Sequence, residues 1–134
     1  MQTSELEGGC LCGATRYRVS GAVDNLCCCH CRSCRRASGA PFVAWGTFDV
    51  GDFVLGGAPL AQHRSSEKVA RGFCGSCGTS LTYAHDGRPG KLDVALATLD
   101  DPRVLHPEFH IWVSHKLPWV ILDHLPVYPE WRKS

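Results

Sequence analysis

The sequence predicts a mostly β domain with little helix, and three observations support this fold class. Apolar residues occur in many short runs, most of them bounded by Gly, Pro, Asn or Asp residues that favour turns. Only the stretch RRASGAP, which follows Cys34, is suited to a turn of helix. Seven of the nine cysteines form closely spaced groups between these runs. Many short strands, joined by turns and held at the cysteine groups, account for all three observations.

The chain has the size and composition of one globular domain. Its 134 residues are 44% hydrophobic and 20% charged, which allows a buried core without disulfides. We therefore expect residues 1–134 to form a single domain. The formal net charge of +1 lacks the basic excess of nucleic-acid-binding proteins, so no nucleic-acid partner is expected. No apolar run approaches the ~18 residues of a membrane span, so no membrane association is expected either.

The first elements lead into the largest cysteine group. Residues 1–7 show no apolar pattern and are expected to form a loose arm. Residues 14–19 alternate between apolar and polar side chains and predict a strand. Residues 21–25 predict a turn, after which a short strand enters the stretch CCCHCRSCRR at residues 27–36.

The middle and end of the chain add a helical turn and further strands. The helical turn after Cys34 is expected to end at Gly39, because glycine favours the left-handed conformation of a C-cap. Residues 60–64 and 69–73 are expected to pair through the polar turn SSEK. Residues 92–99 fit helix or strand by periodicity, and their alternation favours a strand. The other predicted strands are residues 42–48, 53–55, 80–84 and 109–113, and an irregular covering segment follows the last of them.

The cysteines favour metal binding over structural disulfides. Their number is odd, and the first residues lack the basic start and apolar run of a signal peptide. The default location is therefore the cytoplasm, where closely spaced cysteines are usually metal ligands or catalytic thiols. The groups are C-x-C at Cys10 and Cys12, C-x-C-x-x-C at Cys29, Cys31 and Cys34, and C-x-x-C at Cys74 and Cys77.

Ligand counting divides these seven cysteines into two zinc sites. Zinc favours four ligands in a tetrahedron, and two short turns far apart in sequence usually close a structural site. The turn that ends at Cys77 is therefore the expected partner of the turn that begins at Cys10. The remaining three thiolates would leave one position on zinc for water or a substrate, which is the arrangement of a catalytic zinc. We thus expect two zinc ions per chain.

The three-cysteine group also admits other interpretations. A fourth ligand from Cys27, Cys28 or His30 would make it a second structural site. Alternatively, its thiols could cycle through disulfides in a redox reaction. Cys27 and Cys28 are also consistent with small buried apolar residues at the end of a strand.

Charged and titratable residues surround the three-cysteine group. Three thiolates on a divalent cation leave one net negative charge, and Arg32, Arg35 and Arg36 are placed to offset it and to hold an anionic substrate. Solvated surface charges are the alternative interpretation of these arginines. His30 is the nearest candidate for a general base, whereas His110 lies in an apolar strand and fits a core role equally well. The histidines expected on the surface or in loops are His63, His85, His106 and His124.

With these residues placed, the sequence resembles the glutathione-dependent formaldehyde-activating enzyme family, often grouped with centromere protein V. The matching pieces are GGCLCGATRY, CHCRSCRRASGAPFVAW, GFCGSCGTSL and PEFHIWVSHKLPW, which extend over nearly the whole chain in the expected order. The resemblance implies an Mss4-like fold of twisted antiparallel sheets. It also implies a structural zinc at Cys10, Cys12, Cys74 and Cys77, and an open catalytic zinc at Cys29, Cys31 and Cys34.

The resemblance further implies a carbon–sulfur lyase that joins formaldehyde to glutathione. A small thiol would bind the second zinc as thiolate and add to, or leave, a small carbonyl carbon, with its carboxylates oriented by the nearby arginines. The alternative is a non-catalytic two-zinc module that binds a protein or nucleic acid. A redox enzyme of the methionine sulfoxide reductase type would need a reactive cysteine in the C-terminal half, and no cysteine follows Cys77.

Overall fold

The chain folds into nine strands and one α-helix, as seen in a computed structural model that describes residues 1–132. The predicted mostly β, antiparallel architecture with little helix is therefore confirmed. Three short 3₁₀ turns cover Val50–Asp52, Leu96–Thr98 and Val113–His115. The elements are β1 (Gln2–Gly9), β2 (Thr15–Cys29), α1 (Arg32–Ser38), β3 (Val43–Asp49), β4 (Phe53–Gly57), β5 (Leu60–Ser66), β6 (Val69–Cys74), β7 (Ser80–His85), β8 (Lys91–Ala95) and β9 (Phe109–Ile111).

The long strand β2 connects two parts of the sheet. Its first half pairs with β1 on one side and β4 on the other, both antiparallel. The register shifts between Asp24 and Cys27, where Asn25 adopts a φ of 49°. β2 pairs antiparallel with β3 before and after this shift, and beyond it β2 also pairs parallel with β9. Because strands cover both of its edges, the end of β2 carries Cys29 into the interior.

Strands β5 to β8 form a meander in which the second cysteine turn joins β6 to β7. From β3 the order of neighbours is β8, β7, β6 and β5. Strands β5 and β6 pair antiparallel, as their sequence predicts, and β6 ends at Cys74. The helix α1 ends at Gly39, whose φ of 65° and hydrogen bond to the Arg35 carbonyl form the expected C-cap. No helix within residues 1–132 has the length and apolar character that crossing a membrane requires.

Two clusters of buried side chains form the interior, and each contains cysteines. The first includes Cys10 and Cys74 and is dominated by apolar residues such as Tyr17, Phe48 and Leu81. The second includes Cys29 and Cys34 and is built mainly from aromatic and aliphatic residues. Burying one large apolar side chain contributes about 1.5–3 kcal/mol, so both clusters stabilise the cysteine groups that they contain. The larger apolar members of the second cluster are Trp45, Val69, Tyr83, Phe109 and Ile111.

Several sequence predictions differ from the structure. The strand expected at residues 109–113 ends at Ile111, because Trp112 adopts a left-handed φ of 57°. The expected loose arm is wrong: it is the edge strand β1, whose mostly exposed polar residues show no apolar pattern. The expected turn at residues 21–25 is also wrong, because β2 continues through it with only Gly21 and Asn25 at positive φ. The predicted strand at residues 92–99 is confirmed as far as Ala95, after which a 3₁₀ turn begins. That turn is held by a hydrogen bond from the Thr98 hydroxyl to the Ala95 carbonyl at 2.7 Å.

Candidate metal centres

Four cysteines from two distant turns meet in one cluster, which we name the four-cysteine centre. The sulfur atoms of Cys10, Cys12, Cys74 and Cys77 all lie within 4.8 Å of one another. The Cys10–Cys12 and Cys12–Cys74 sulfur distances are 3.6 and 3.8 Å. Sulfurs at about 2.3 Å from a shared tetrahedral ion would lie about 3.8 Å apart. The donor set therefore fits a metal ion with four thiolate ligands.

Backbone amides stabilise the four-cysteine centre. The N–H groups of Ser76 and Cys77 each donate to the Cys74 sulfur at 3.4 Å. The Thr15 N–H donates to the Cys10 sulfur at 3.3 Å. After the second turn, Gly78 adopts a φ of 82° and donates its N–H to the Cys74 carbonyl, which closes the loop. The arrangement is that of a compact knuckle whose amides are directed at negatively charged sulfur.

Three further cysteines form a second cluster, which we name the three-cysteine centre. Cys29 ends β2, Cys31 is the N-cap of α1, and Cys34 lies in the first turn of that helix. Their sulfur atoms lie within 4.8 Å of one another. The Cys34 N–H donates to the Cys31 sulfur at 3.3 Å. The end of a buried strand and the start of a helix thus present three sulfurs to one point.

Hydrogen bonds among the thiols of the three-cysteine centre shift their pKa values in opposite directions. Hydrogen bonds from Cys29 and then Cys34 lower the pKa of Cys31 to about 2. The corresponding hydrogen bonds with Cys31 and Cys34 raise the pKa of Cys29. In this close group one thiolate therefore forms at the expense of its neighbours. A divalent cation would relieve that competition, so this donor set also fits a metal ion.

A cavity of about 560 Å³ opens beside the three-cysteine centre. Cys29, Cys31 and Cys34 all lie on its wall. By contrast, none of the four-cysteine centre's residues, all of which the structure describes, lines this cavity. Of the two centres, the three-cysteine centre therefore borders a concave space that could hold a small ligand. The aromatic residues on the wall are Trp45, Tyr83, Phe109, Trp112 and Trp131.

The cavity carries an excess of positive charge. Arg32, Arg71, Arg88 and Arg132 line it, whereas Asp93 is the single carboxylate among the described lining residues. Asp93 is paired with Arg88 at 2.8 Å. Arg71 donates to the Cys34 sulfur. Arg32 and Arg132 have no carboxylate partner among the described residues, which makes the cavity electrostatically suited to an anionic ligand.

The three predicted substrate-binding arginines are separated in the structure. Arg32 lies on the cavity wall. Arg35 and Arg36 instead line a smaller depression together with Leu117 and Trp119. The cavity arginines that the sequence did not reveal lie on strands or loops distant from the cysteine stretch. Arg71, for example, stands three residues before Cys74, and only knowledge of which strand face it occupies could have indicated its role.

His30 and His110 form a buried chain that ends at Asp123, and neither ring lies on the cavity wall. Nε2 of His30 lies 2.9 Å from Nδ1 of His110, and Nε2 of His110 lies 2.9 Å from Oδ1 of Asp123. His30 is fully buried, and its Nδ1 has no hydrogen-bond partner among the described residues. Burial, followed by the proximity of His110, lowers the pKa of His30 to about 4. Neither ring lines the cavity, so the candidate general base of the sequence lies outside it.

The remaining histidines and cysteines occupy separate positions. Of the histidines expected on the surface or in loops, His63, His106 and His124 are exposed, and His85 is half-buried on the cavity wall. Cys27 and Cys28 are buried and belong to neither centre. Burial raises the pKa of both, that of Cys28 to about 12. Both are therefore neutral thiols, as expected for small apolar residues at the end of a strand.

Comparisons with known proteins agree with this arrangement. Residues 5–115 match the family described as the glutathione-dependent formaldehyde-activating enzyme. An uncharacterised lyase of Schizosaccharomyces pombe (strain 972 / ATCC 24843) is 35% identical over 81 residues, which cover 60% of this chain and 58% of that protein. The match thus spans less than two thirds of that relative. A crystal structure of a Rhodobacter sphaeroides protein aligns with a TM-score of 0.58 at 24% identity, covers 72% of this chain and 89% of that one, and shows the shared fold.

Proposed function

This chain belongs to the glutathione-dependent formaldehyde-activating enzyme family, whose match extends over residues 5–115, and from that membership we propose that it is a zinc-dependent enzyme of the carbon–sulfur lyase type. Its substrates are a small thiol, with glutathione the first candidate, and formaldehyde or a related small carbonyl compound. The observation that carries this proposal is the position of the three-cysteine centre on the wall of the cavity.

The two centres have different roles in this proposal. Cys10, Cys12, Cys74 and Cys77 would hold a structural zinc, because four thiolates complete its coordination. Cys29, Cys31 and Cys34 would hold a second zinc, which supplies an open position at which a substrate thiol loses its proton. The donor number of each centre and the sulfur distances of the first support this division.

The protein residues bind the thiol, orient it and exclude water. The thiol gives up its proton, a lone pair of its sulfur attacks the carbonyl carbon to form the carbon–sulfur bond, the π bond to oxygen breaks, and that oxygen takes up one proton in place of the one lost. The lyase direction reverses each change. The aromatic wall, which includes Trp45 and Phe109, keeps water from the reacting carbon. We assign the carboxylate contacts of the thiol first to Arg32 and Arg132, which line the cavity; the role of Arg35 and Arg36 stays a prediction.

Substitution of one cysteine in each environment tests the proposal. Cys31→Ser removes a thiolate from the three-cysteine centre, whereas Cys28→Ser changes a buried cysteine that belongs to neither centre. We expect thiol-dependent consumption of formaldehyde, followed by NMR, to fall at least about 100-fold in the first variant. The second variant should retain the wild-type rate per folded molecule. An unchanged rate in Cys31→Ser would contradict the proposed site.

Metal analysis provides a second test that does not depend on the choice of substrate. We expect two zinc ions per chain in the wild-type protein and one in Cys31→Ser. A wild-type ratio of one, with the four-cysteine centre occupied, would overturn the catalytic role of the second centre. Two ions without any thiol-dependent reaction would instead favour a binding module.

A further inference from the structure

We infer that Arg71 is a positioning residue of the three-cysteine centre, where it neutralises the cluster and so keeps the open position receptive to an anionic thiolate. Nη1 and Nη2 of its guanidinium each donate to the Cys34 sulfur at 3.7 Å. The inference rests on the proposed function, because it assumes that this centre holds a divalent metal ion. It adds a residue that is distant in sequence and belongs to neither cysteine group.

The guanidinium of Arg71 is held in one orientation by three kinds of contact. Besides the two hydrogen bonds to sulfur, its Nε donates to the Ser65 hydroxyl at 3.1 Å. Its Cζ lies 5.0 Å from the centre of the Tyr83 ring, within the range of a cation–π interaction. The residue is only 6% exposed. A planar fork fixed in this way differs from a lysine ammonium, which would supply a point charge without the paired donors.

Within residues 1–132 Arg71 has no carboxylate partner, which is unusual for a buried guanidinium. Among residues 1–132 the ion pairs involve other basic residues, and Arg88, the neighbouring cavity arginine, is paired with Asp93. A buried charge is costly unless an opposite charge accompanies it. The groups that can supply this charge beside Arg71 are the thiolates of the cluster. The structure thus already contains the countercharge for an ionised three-cysteine centre.

The net charge of the three-cysteine centre explains why the positive charge of Arg71 matters for binding a fourth ligand. Three thiolates and a divalent cation together carry one net negative charge, which would repel a second anion. With the positive charge of Arg71 the group becomes neutral, so a substrate thiolate can approach without that repulsion. The loss of Arg71 should weaken both the retention of the metal ion and the binding of an anionic fourth ligand.

The four-cysteine centre stabilises its sulfurs without an arginine. Its hydrogen-bond donors are backbone amides such as those of Ser76 and Cys77, and Cys12 and Cys77 are exposed to solvent. Among the described residues no arginine donates to these four sulfurs. Neutral amides and solvent are sufficient to stabilise the sulfur charge at a centre whose four ligands are all cysteines. The charged donor is found at the centre that borders the cavity, and the first centre therefore serves as an internal control.

The experiment compares full-length wild type, Arg71→Met and Arg71→Lys, with Arg64→Met as the matched control on the adjacent strand β5. Competition with a chromophoric chelator measures the zinc affinity of each centre. In Arg71→Met we expect the affinity of the three-cysteine centre to fall about 10–100-fold and that of the four-cysteine centre to stay unchanged. Arg64→Met, which changes an exposed arginine paired with Asp86, should leave both affinities unchanged.

Cobalt substitution gives a readout that a purely structural role would not change. Loss of the two hydrogen bonds to the Cys34 sulfur should shift the sulfur-to-cobalt charge-transfer band of the second centre in Arg71→Met. Arg71→Lys should recover part of the affinity through its charge but retain a shifted band. Titration with mercaptoethanol should perturb that band at higher concentration in Arg71→Met than in wild type.

The outcomes separate this inference from the proposed function. A wild-type protein with only one metal ion per chain would overturn both. Two ions in wild type, with the affinity and the band unchanged in Arg71→Met, would overturn the inference alone. If Arg71→Met fails to fold, which loss of the metal ion from the four-cysteine centre would reveal, Arg71→Lys decides: a band identical to that of wild type would refute the inference.

Discussion

The two cysteine centres use the same side chain in opposite surroundings. The four-cysteine centre joins two turns, receives backbone hydrogen bonds and has two solvent-exposed members, Cys12 and Cys77. The three-cysteine centre is formed by a strand end and a helix start, receives two hydrogen bonds from Arg71 and faces a cavity. The comparison teaches that the number of ligands and the surroundings of the sulfurs, rather than the presence of cysteine, distinguish a candidate structural centre from a candidate reaction site.

The strand β6 couples the two centres mechanically. Its last residue, Cys74, belongs to the four-cysteine centre. Three residues earlier, Arg71 reaches the Cys34 sulfur of the other centre. A metal ion in the first centre would therefore fix the strand that carries the hydrogen-bond donor of the second. This coupling predicts an asymmetry. Loss of the four-cysteine centre should disturb the three-cysteine centre, whereas loss of the three-cysteine centre should leave the four-cysteine centre intact.

The largest expected effect comes from disrupting the four-cysteine centre. Cys74→Ser would remove a ligand of the proposed structural metal ion, and such ions supply about 10–16 kcal/mol of apparent binding free energy in small metal-dependent domains. We expect the variant to be largely unfolded, as measured by near-ultraviolet circular dichroism. Cys31→Ser should keep the wild-type spectrum. Equal loss of structure in both variants would remove the distinction between the two centres.

A smaller effect is expected from the charge at the cavity. Arg32 is exposed, so an ion pair that it makes with a substrate carboxylate should contribute about 0.2–1 kcal/mol, which corresponds to a KM increase of about 1.5–5-fold in Arg32→Met. The value of kcat should change little. Arg18→Met, on the first half of β2, is the control. A comparable rise in KM for Arg36→Met would show that the separate depression also contacts substrate, as the sequence predicts.

The smallest effect concerns the histidine chain, which lies outside the cavity. The hydrogen bond from His110 holds the pKa of Asp123 below its usual range. A carboxyl whose pKa is lower in the folded state stabilises the protein above its unfolded pKa, and this contribution is lost as pH falls through the folded value. Asp123→Asn should therefore melt slightly below wild type at neutral pH, with the difference shrinking on acidification. Thermal melts between about pH 7 and pH 3 check this; a difference independent of pH would exclude an electrostatic origin.

Local sequence patterns predicted much of the architecture. The hairpin of β5 and β6, the helix end at Gly39 and the C-x-x-C knuckle depend on residues close together in the chain. The strand β1 escaped prediction because an edge strand with an exposed outer face needs no apolar alternation. The length of β2 escaped for a different reason. Gly21 and Asn25 are typical turn residues, yet β2 stays extended because Gly21 pairs with β1 and pairing with β3 flanks Asn25 on either side along the chain.

The sequence by itself determined the cysteine groups and how many ligands each can offer. Spacings such as C-x-C and C-x-x-C act within one turn, so the chain needs no further information to bring those sulfurs together. Only the tertiary structure decided which charges face them. Arg71 lies 37 positions from Cys34, and sheet register and strand face bring the two together, whereas Arg35 and Arg36, next to Cys34 in the chain, are directed elsewhere by the helix. Helix geometry directs neighbouring side chains to different faces, whereas strand pairing brings distant residues together. Proximity in sequence therefore indicated the cysteine ligands but not Arg71, their electrostatic partner.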